Sequence, residues 1–97
     1  MAVIVVAELP AQPDKTDELV DFIRSIIPGT REFDGFEGIS MHRDADDPNH
    51  VALVEVWASR AHHEKYLAWR TERGDFGQVV AMLAGPPSIR YFDPIEI

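Results

Sequence analysis

The sequence contains no cysteine. The chain therefore cannot form a disulfide framework, a cysteine-ligated zinc site, an iron–sulfur cluster or a thiol nucleophile, and its composition suits a reducing cytoplasm, where we expect it. Basic residues are also few, because nine lysines and arginines face 17 aspartates and glutamates, for a formal net charge of -8. An acidic protein repels phosphate backbones and anionic headgroups, so nucleic acids and membranes are poor partners.

Long hydrophobic runs are absent as well. The longest strongly apolar run, residues 2–7, is far shorter than the roughly 20 residues of a bilayer span, and no basic segment typical of a secretion signal precedes it. We therefore expect no transmembrane or targeting segment. The hydrophobic share of 45% still suffices for a core, and a length of 97 residues is that of one ordinary domain. We predict that residues 1–97 form a single domain.

Four segments rich in β-branched and aromatic residues are typical of β-strands. They are residues 2–9, 36–43, 51–57 and 88–92, the last with an extension to residue 97. Residues 44–49, between the second and third segments, are turn formers and predict a hairpin loop.

Apolar residues spaced three and four apart predict helices between these strands. For the first helix we expect Asp14 at the N-cap and a stop or kink at Pro28-Gly29. The second helix is predicted to begin after Ser59 and to end at Gly74, and a short third helix should run from Asp75 to residues 85–87. The resulting order, βαββα(α)β, is ferredoxin-like: an α+β fold with a four-stranded antiparallel sheet and helices on one face.

The first and third strands are apolar on both faces. On the first strand, one face carries Val3, Val5 and Ala7, and the other carries Ile4 and Val6. On the third strand, one face carries Leu53 and Trp57, and the other carries Ala52, Val54 and Val56. A sheet face that lies open to water should be polar, so something must cover the second face. A second copy of the chain is the simplest cover, which predicts a homodimer packed sheet to sheet. The alternative is that the residues after Pro94 fold across this face.

Several short motifs resemble, in their order along the chain, the antibiotic biosynthesis monooxygenase (ABM) domain. They are Pro13-Asp14-Lys15, Gly35-Phe36-Glu37-Gly38-Ile39, Asp47-Pro48, Glu55-Val56-Trp57-Ala58-Ser59-Arg60-Ala61 and Gly85-Pro86-Pro87. The resemblance implies a dimeric α/β-barrel with a pocket between sheet and helices. It also implies a monooxygenase that oxidises a quinol or polycyclic phenol with molecular oxygen, without cofactor or metal.

Two departures from the family pattern bear on the chemistry. Family members often carry a histidine nine residues after the tryptophan, where this chain has Tyr66, with His62 and His63 one turn earlier. Haem-degrading relatives place an asparagine near the end of the first strand, where this chain has Ala7, and its asparagine, Asn49, lies in the hairpin. Haem breakdown is therefore disfavoured.

Three residues of the second helix are the candidate catalytic group. His63, Tyr66 and Arg70 fall at i, i+3 and i+7, on one face. They would supply a base, a hydrogen-bond partner and a guanidinium for the substrate anion, respectively. A rotation of the helix by one residue would present His62 instead, so the choice between the histidines stays open. In the alternative interpretation Tyr66 and Trp69 pack in the core and the histidines are solvated.

The candidate substrate-binding residues are Trp57 and Trp69, as aromatic walls, together with Glu55 and His42. Glu55 lies in an otherwise apolar strand, so its carboxylate must be paired, hydrated or protonated. His42 and Arg90 are possible partners, and a purely structural ion pair is the alternative. Three functions follow: a small cofactor-independent oxygenase, a protein that binds an aromatic ligand without oxidising it, and, disfavoured by the missing asparagine, a haem-binding or haem-degrading protein that the fold would still support.

Overall fold

The computed structural model, which describes residues 2–97, consists of a four-stranded sheet with helices on one side. The strands are β1 (Val3–Pro10), β2 (Phe36–Arg43), β3 (His50–Trp57) and β4 (Ser88–Phe92), and the helices are α1 (Thr16–Arg31), α2 (Arg60–Arg73) and α3 (Asp75–Ala81). The strand order is β2-β3-β1-β4, and all three pairings are antiparallel. The predicted ferredoxin-like α+β fold is therefore confirmed.

The two faces of the sheet have different surroundings. On β1 the odd-numbered residues from Val3 to Leu9 are buried beneath the helices, whereas the even-numbered residues are only half-buried. The second set belongs to what we call the open face, whose apolar side chains are Ile4, Val6, Ala52, Val54, Val56 and Phe92. Residues 93–97 are exposed and belong to no strand, so they do not cover it. The predicted extension of β4 to residue 97 is wrong, because these residues find no strand to pair with.

Helix α1 differs from its prediction at both ends. Its N-cap is Lys15 rather than Asp14, and the first turn is fixed by Thr16, whose hydroxyl donates to the side chain of Asn49 at 2.8 Å. The helix also continues through Pro28 to Arg31. A proline removes one backbone donor, but the buried Thr30 hydroxyl donates to the carbonyl of Ile26 at 3.2 Å and holds the last turn in place.

The predicted signals at the hairpin and at α2 are confirmed. In the hairpin, Asp44 Oδ1 accepts from the backbone N–H groups of Asp46 and Asp47. At the start of α2, Ser59 Oγ accepts from the backbone N–H of His62 at 3.2 Å. Helix α3 ends at Ala81, before the predicted residues 85–87. Within residues 2–97, none of the helices has the length and apolar character needed to cross a bilayer.

Gly74 joins α2 to α3 with a φ of +88°, a left-handed conformation that a residue with a Cβ adopts only under strain. We expect Gly74→Ala to lower the free energy of unfolding by about 1 kcal/mol. The matched control is Gly77→Ala, at an exposed position inside α3 where a Cβ meets no atom within 4 Å. It should raise stability by about 0.5–1 kcal/mol. Urea unfolding followed by circular dichroism measures both, and equal stabilities for the two variants would contradict the assignment.

Candidate active site

A cavity of about 80 Å³ lies between the sheet and the helices. Most of its wall is aliphatic, with residues such as Ile23 and Ile27 of α1 and Leu53 of β3. The polar residues on the wall are Glu55, His63, Tyr66, Arg70 and Asp75. A few ionisable groups thus converge on an otherwise apolar space, which is the usual character of a small-molecule site.

Glu55 points into this cavity from β3. Its side chain is 6% exposed, and Trp57, two residues later on the same face of the strand, donates its indole N–H to Glu55 Oε1 at 2.9 Å. Burial raises the pKa of Glu55, and the hydrogen bond from Trp57 offsets part of that rise. The cavity therefore contains a carboxyl group with increased proton affinity.

His63 faces Glu55 from α2. Its side chain is 3% exposed, and its Nε2 lies 3.9 Å from Glu55 Oε1, beyond direct hydrogen-bond distance. Its Nδ1 forms a hydrogen bond with the hydroxyl of Tyr91 on β4 at 2.8 Å. Burial lowers the pKa of His63 to about 4, so the imidazole is neutral at neutral pH.

His62 lies outside the cavity, which decides between the two histidines. Its side chain is 36% exposed, its Nδ1 lies 2.7 Å from Ser59 Oγ, and its Nε2 lies 3.7 Å from Asp34. Adjacent residues of a helix point about 100° apart, so His63 is directed inward where His62 is directed outward, and His63 is buried.

Tyr66 and Arg70 form a hydrogen-bond network that connects all three helices. The guanidinium of Arg70 donates to Tyr66 Oη at 3.0 Å, to Asp75 Oδ2 at 2.9 Å, to the Ile26 carbonyl at 2.7 Å and to Thr30 Oγ1 at 3.1 Å. Tyr66 Oη and Thr30 Oγ1 share a further hydrogen bond of 2.7 Å, beside the four that Arg70 donates. These four bonds occupy most of the five N–H donors of an arginine. Arg70 is thus largely engaged within the protein.

The charges of this network are fixed near neutral pH. Burial alone would lower the pKa of Arg70, but hydrogen bonds with Tyr66 and Asp75 raise it overall. Burial alone would raise the pKa of Asp75, but hydrogen bonds from Arg70 and Arg73 lower it overall. Both groups are therefore ionised, and a permanent ion pair closes the cavity at the α2–α3 junction.

Three predicted substrate-binding residues lie elsewhere. Among the residues that the structure describes, neither tryptophan lines the cavity: Trp57 is fully buried behind Glu55, and Trp69 packs 5.2 Å from Phe33, between ring centroids. These large rings fill the core beside the cavity instead of forming its walls. His42 is exposed on the open face, where it pairs with Ala52, on the opposite side of the sheet from Glu55.

Arg90 lies on that same open face, opposite Val6. The prediction that His42 or Arg90 pairs with Glu55 is therefore wrong, because both side chains lie on the opposite face of the sheet from Glu55. The polar side chains beside Glu55 include instead Trp57, which donates a hydrogen bond to it, and His63, 3.9 Å away.

Residues that sequence reasoning missed complete the site. Tyr91, Thr30 and Asp75 each hold a cavity residue through a side-chain hydrogen bond. Tyr91 pairs with Val5, which is buried beneath the helices, so the alternation of β4 contained the signal for it. Thr30 lies beyond the expected end of α1, and the contact made by Asp75 depends on the angle between α2 and α3.

A wider groove of about 270 Å³ adjoins the cavity at the edge strand β2. The groove and the cavity share the aliphatic residues Ile23, Ile27, Ile39 and Leu53. The remaining groove residues are Arg24, Arg31 and Met41. The cavity is thus continued laterally, between α1 and β2.

Solved structures of the same fold cover nearly the whole chain. Rv0793 from Mycobacterium tuberculosis is 23% identical, with a TM-score of 0.86 over 100% of this chain and 98% of that one. Protein SO0527 from Shewanella oneidensis is 24% identical, with a TM-score of 0.81 over 94% of this chain and 88% of that one. SnoaB from Streptomyces nogalater, a cofactor-independent oxygenase, is 14% identical, with a TM-score of 0.84 over 99% of this chain and 95% of that one.

At these identities the structural likeness establishes the fold alone, and no curated protein matches the chain. The family follows from the sequence itself, because the model of the antibiotic biosynthesis monooxygenase family matches residues 2–71. That stretch runs from β1 into α2 and includes Glu55, His63, Tyr66 and Arg70. The chain therefore belongs to the antibiotic biosynthesis monooxygenase family.

Proposed function

We propose that this protein is a cofactor-independent monooxygenase that oxidises a quinol or polycyclic phenol with molecular oxygen. The observation that carries the proposal is the buried pair of Glu55 and His63, two proton-accepting groups 3.9 Å apart on the wall of an apolar cavity. Membership of the family supports it. The likeness to SnoaB, a cofactor-independent oxygenase, agrees with it.

In this proposal His63 accepts the phenolic proton, and the Glu55 carboxylate 3.9 Å away stabilises the resulting imidazolium. A neutral imidazole has one N–H, and with that N–H on Nδ1, donated to Tyr91, the lone pair of Nε2 is free to accept. A substrate hydroxyl within hydrogen-bond distance of both Nε2 and Glu55 Oε1 fits their separation. Burial makes His63 a weak base in the free protein, but the phenolate and the Glu55 carboxylate both favour the imidazolium once it forms.

The oxidation then needs only the substrate and oxygen. The phenolate transfers one electron to molecular oxygen, and the resulting phenoxyl radical and superoxide combine at a hydrogen-bearing ring carbon ortho or para to the phenolic oxygen. Protonation by the His63 imidazolium gives a hydroperoxide on a carbon that still holds its hydrogen. Cleavage of the O–O bond with loss of that hydrogen yields the quinone and one water, so a dry cavity protects each intermediate.

Tyr66 and Arg70 have a supporting role in this scheme. Their polar atoms bind Thr30, Ile26 and Asp75, so they hold the cavity wall in place. Because Asp75 neutralises the charge of Arg70 at that wall, this support is positional rather than electrostatic.

The size of the cavity restricts how a substrate binds. A volume of about 80 Å³ is well below the roughly 300–1,000 Å³ of ordinary ligand pockets. A polycyclic phenol would therefore place its reacting ring near Glu55 and extend into the groove along β2.

A second candidate function is the binding of an aromatic ligand without oxidation. The low basicity of His63, with a pKa of about 4, favours this alternative because it weakens proton removal. The same cavity and groove would hold the ligand.

We further propose that the protein is a homodimer joined through the open face. Val54 pairs with Val6 and Val56 with Ile4 at the centre of that face, which forms a contiguous apolar patch. The residues that follow β4 do not cover it. A second sheet packed on this face would bury the patch by a two-fold contact in which the same residues meet.

Oxygen uptake by the metal-free protein, tested with hydroquinones and polycyclic phenols, decides between the two functions. We expect uptake that persists with a chelator, and a decrease of about 10²-fold or more in His63→Gln and in Glu55→Gln. The control is His62→Gln, which changes the same residue type outside the cavity and should leave the rate unchanged. Calorimetric binding of these phenols with no uptake would instead establish the binding function.

The stability of the protein should report the burial of His63. Between pH 6.5 and about 4 the unfolded chain binds a proton at this residue that the folded protein excludes, so the free energy of unfolding falls as the pH falls. The shift corresponds to about 3 kcal/mol. The difference in free energy of unfolding between the wild type and His63→Gln should therefore decrease by this amount as the pH falls through this window. The opposite contribution of Glu55 is present in both proteins and cancels in the difference. A difference that stays constant, as expected for His62→Gln, would contradict the burial of His63.

Val54→Asp tests the dimer. An aspartate at the centre of the open face should convert the protein to a monomer in light scattering and leave its circular dichroism unchanged, because the helix-covered core is untouched. Ala61→Asp, on the exposed first turn of α2, is the control and should remain dimeric. A monomeric wild type, or a dimeric Val54→Asp, would overturn this proposal.

A further inference from the structure

The groove beside the cavity is positively charged on an acidic protein. Its lining contains two arginines, Arg24 and Arg31, and no aspartate or glutamate, although the chain has 17 acidic residues. The arginines lie seven residues apart on α1, about 10 Å along the helix axis, and flank the aliphatic residues Ile23 and Ile27. One side of the groove is therefore apolar and its rim is cationic.

These two guanidinium groups are available to a ligand. Within residues 2–97, Arg31 has no carboxylate within 4.0 Å. Arg24 lies 3.4 Å from Asp21, but the two side chains are 69% and 77% exposed, so this pair is weak and exchanges readily with solvent. Arg70, by contrast, is saturated by partners within the protein.

We propose that the substrate is an aromatic phenol bearing a carboxylate, with the phenolic ring in the cavity and the carboxylate at Arg31 and Arg24. The inference rests on the proposed function, since both use the same cavity, and it adds the chemical class of the substrate. A guanidinium binds a carboxylate through two parallel hydrogen bonds, so Arg31 would fix the direction in which the ring enters. The shared aliphatic wall of groove and cavity accommodates the connecting carbon frame.

A structural role for Arg31 predicts a different behaviour. Arg31 is the basic residue in the last turn of α1, where a positive charge interacts favourably with the helix dipole. In that role its replacement would lower thermal stability and would leave ligand discrimination unchanged.

The test compares two ligands that differ by one carboxylate, 6-hydroxy-2-naphthoic acid and 2-naphthol. We expect calorimetry at low salt to give about three- to fivefold tighter binding of the acid to the wild type. The preference should shrink at high salt, which screens exposed charges. Arg31→Gln should reduce the preference to less than twofold and leave the affinity for 2-naphthol unchanged. The control Arg43→Gln removes the same charge from an exposed arginine outside the groove lining and should retain the preference.

Oxygen uptake with the same two ligands separates this inference from the proposed function. Tighter binding of the acid that depends on Arg31 supports the inference even when neither ligand supports uptake. Equal binding of the two ligands overturns the inference, and so does an equal preference in Arg31→Gln and wild type. If 2-naphthol nevertheless supports oxygen uptake, the proposed oxygenase function is retained. Binding of neither ligand overturns the inference as well.

Discussion

The guanidinium of Arg70 is the contact on which the arrangement of the helices depends. It joins the last turns of α1 and α2 to the start of α3. An ion that is this strongly buried is stable only while its partners stay in place. The helices are therefore held at fixed distances above the sheet, and a cavity persists where aliphatic side chains alone would close together.

The cavity places two ionisable groups in an environment that disfavours charge. Burial raises the pKa of Glu55 and lowers that of His63, so both shifts act against an ion pair between them. Trp57 and Tyr91 hold the two side chains at a separation that leaves space for a third oxygen. Proton transfer then depends on the ligand, because the charge of a bound anion changes the proton affinities of Glu55 and His63.

The element pattern could be predicted from the sequence because local signals set it. Ser59 and Gly74 define α2, the aspartates of the hairpin define its turn, and strand alternation gives both faces of the sheet. The end of α1 could not be predicted, since Pro28 opposes a helix, whereas Thr30 bonds back to Ile26 and is held by Tyr66 and Arg70 of α2. The inward direction of His63 could not be predicted either, because it depends on how α2 is rotated about its axis. The partners of Glu55 depend on which residues of β2 and β4 share its face of the sheet.

The match to the family ends at residue 71, but two supports of the site lie beyond it. Asp75 neutralises Arg70, and the hydroxyl of Tyr91 orients His63. The C-terminal quarter of the chain thus adjusts the protonation and the geometry of groups that the family-defining part supplies. A change at Asp75 or Tyr91 would therefore alter the surroundings of Arg70 or His63 without touching any residue of the stretch by which the family is recognised.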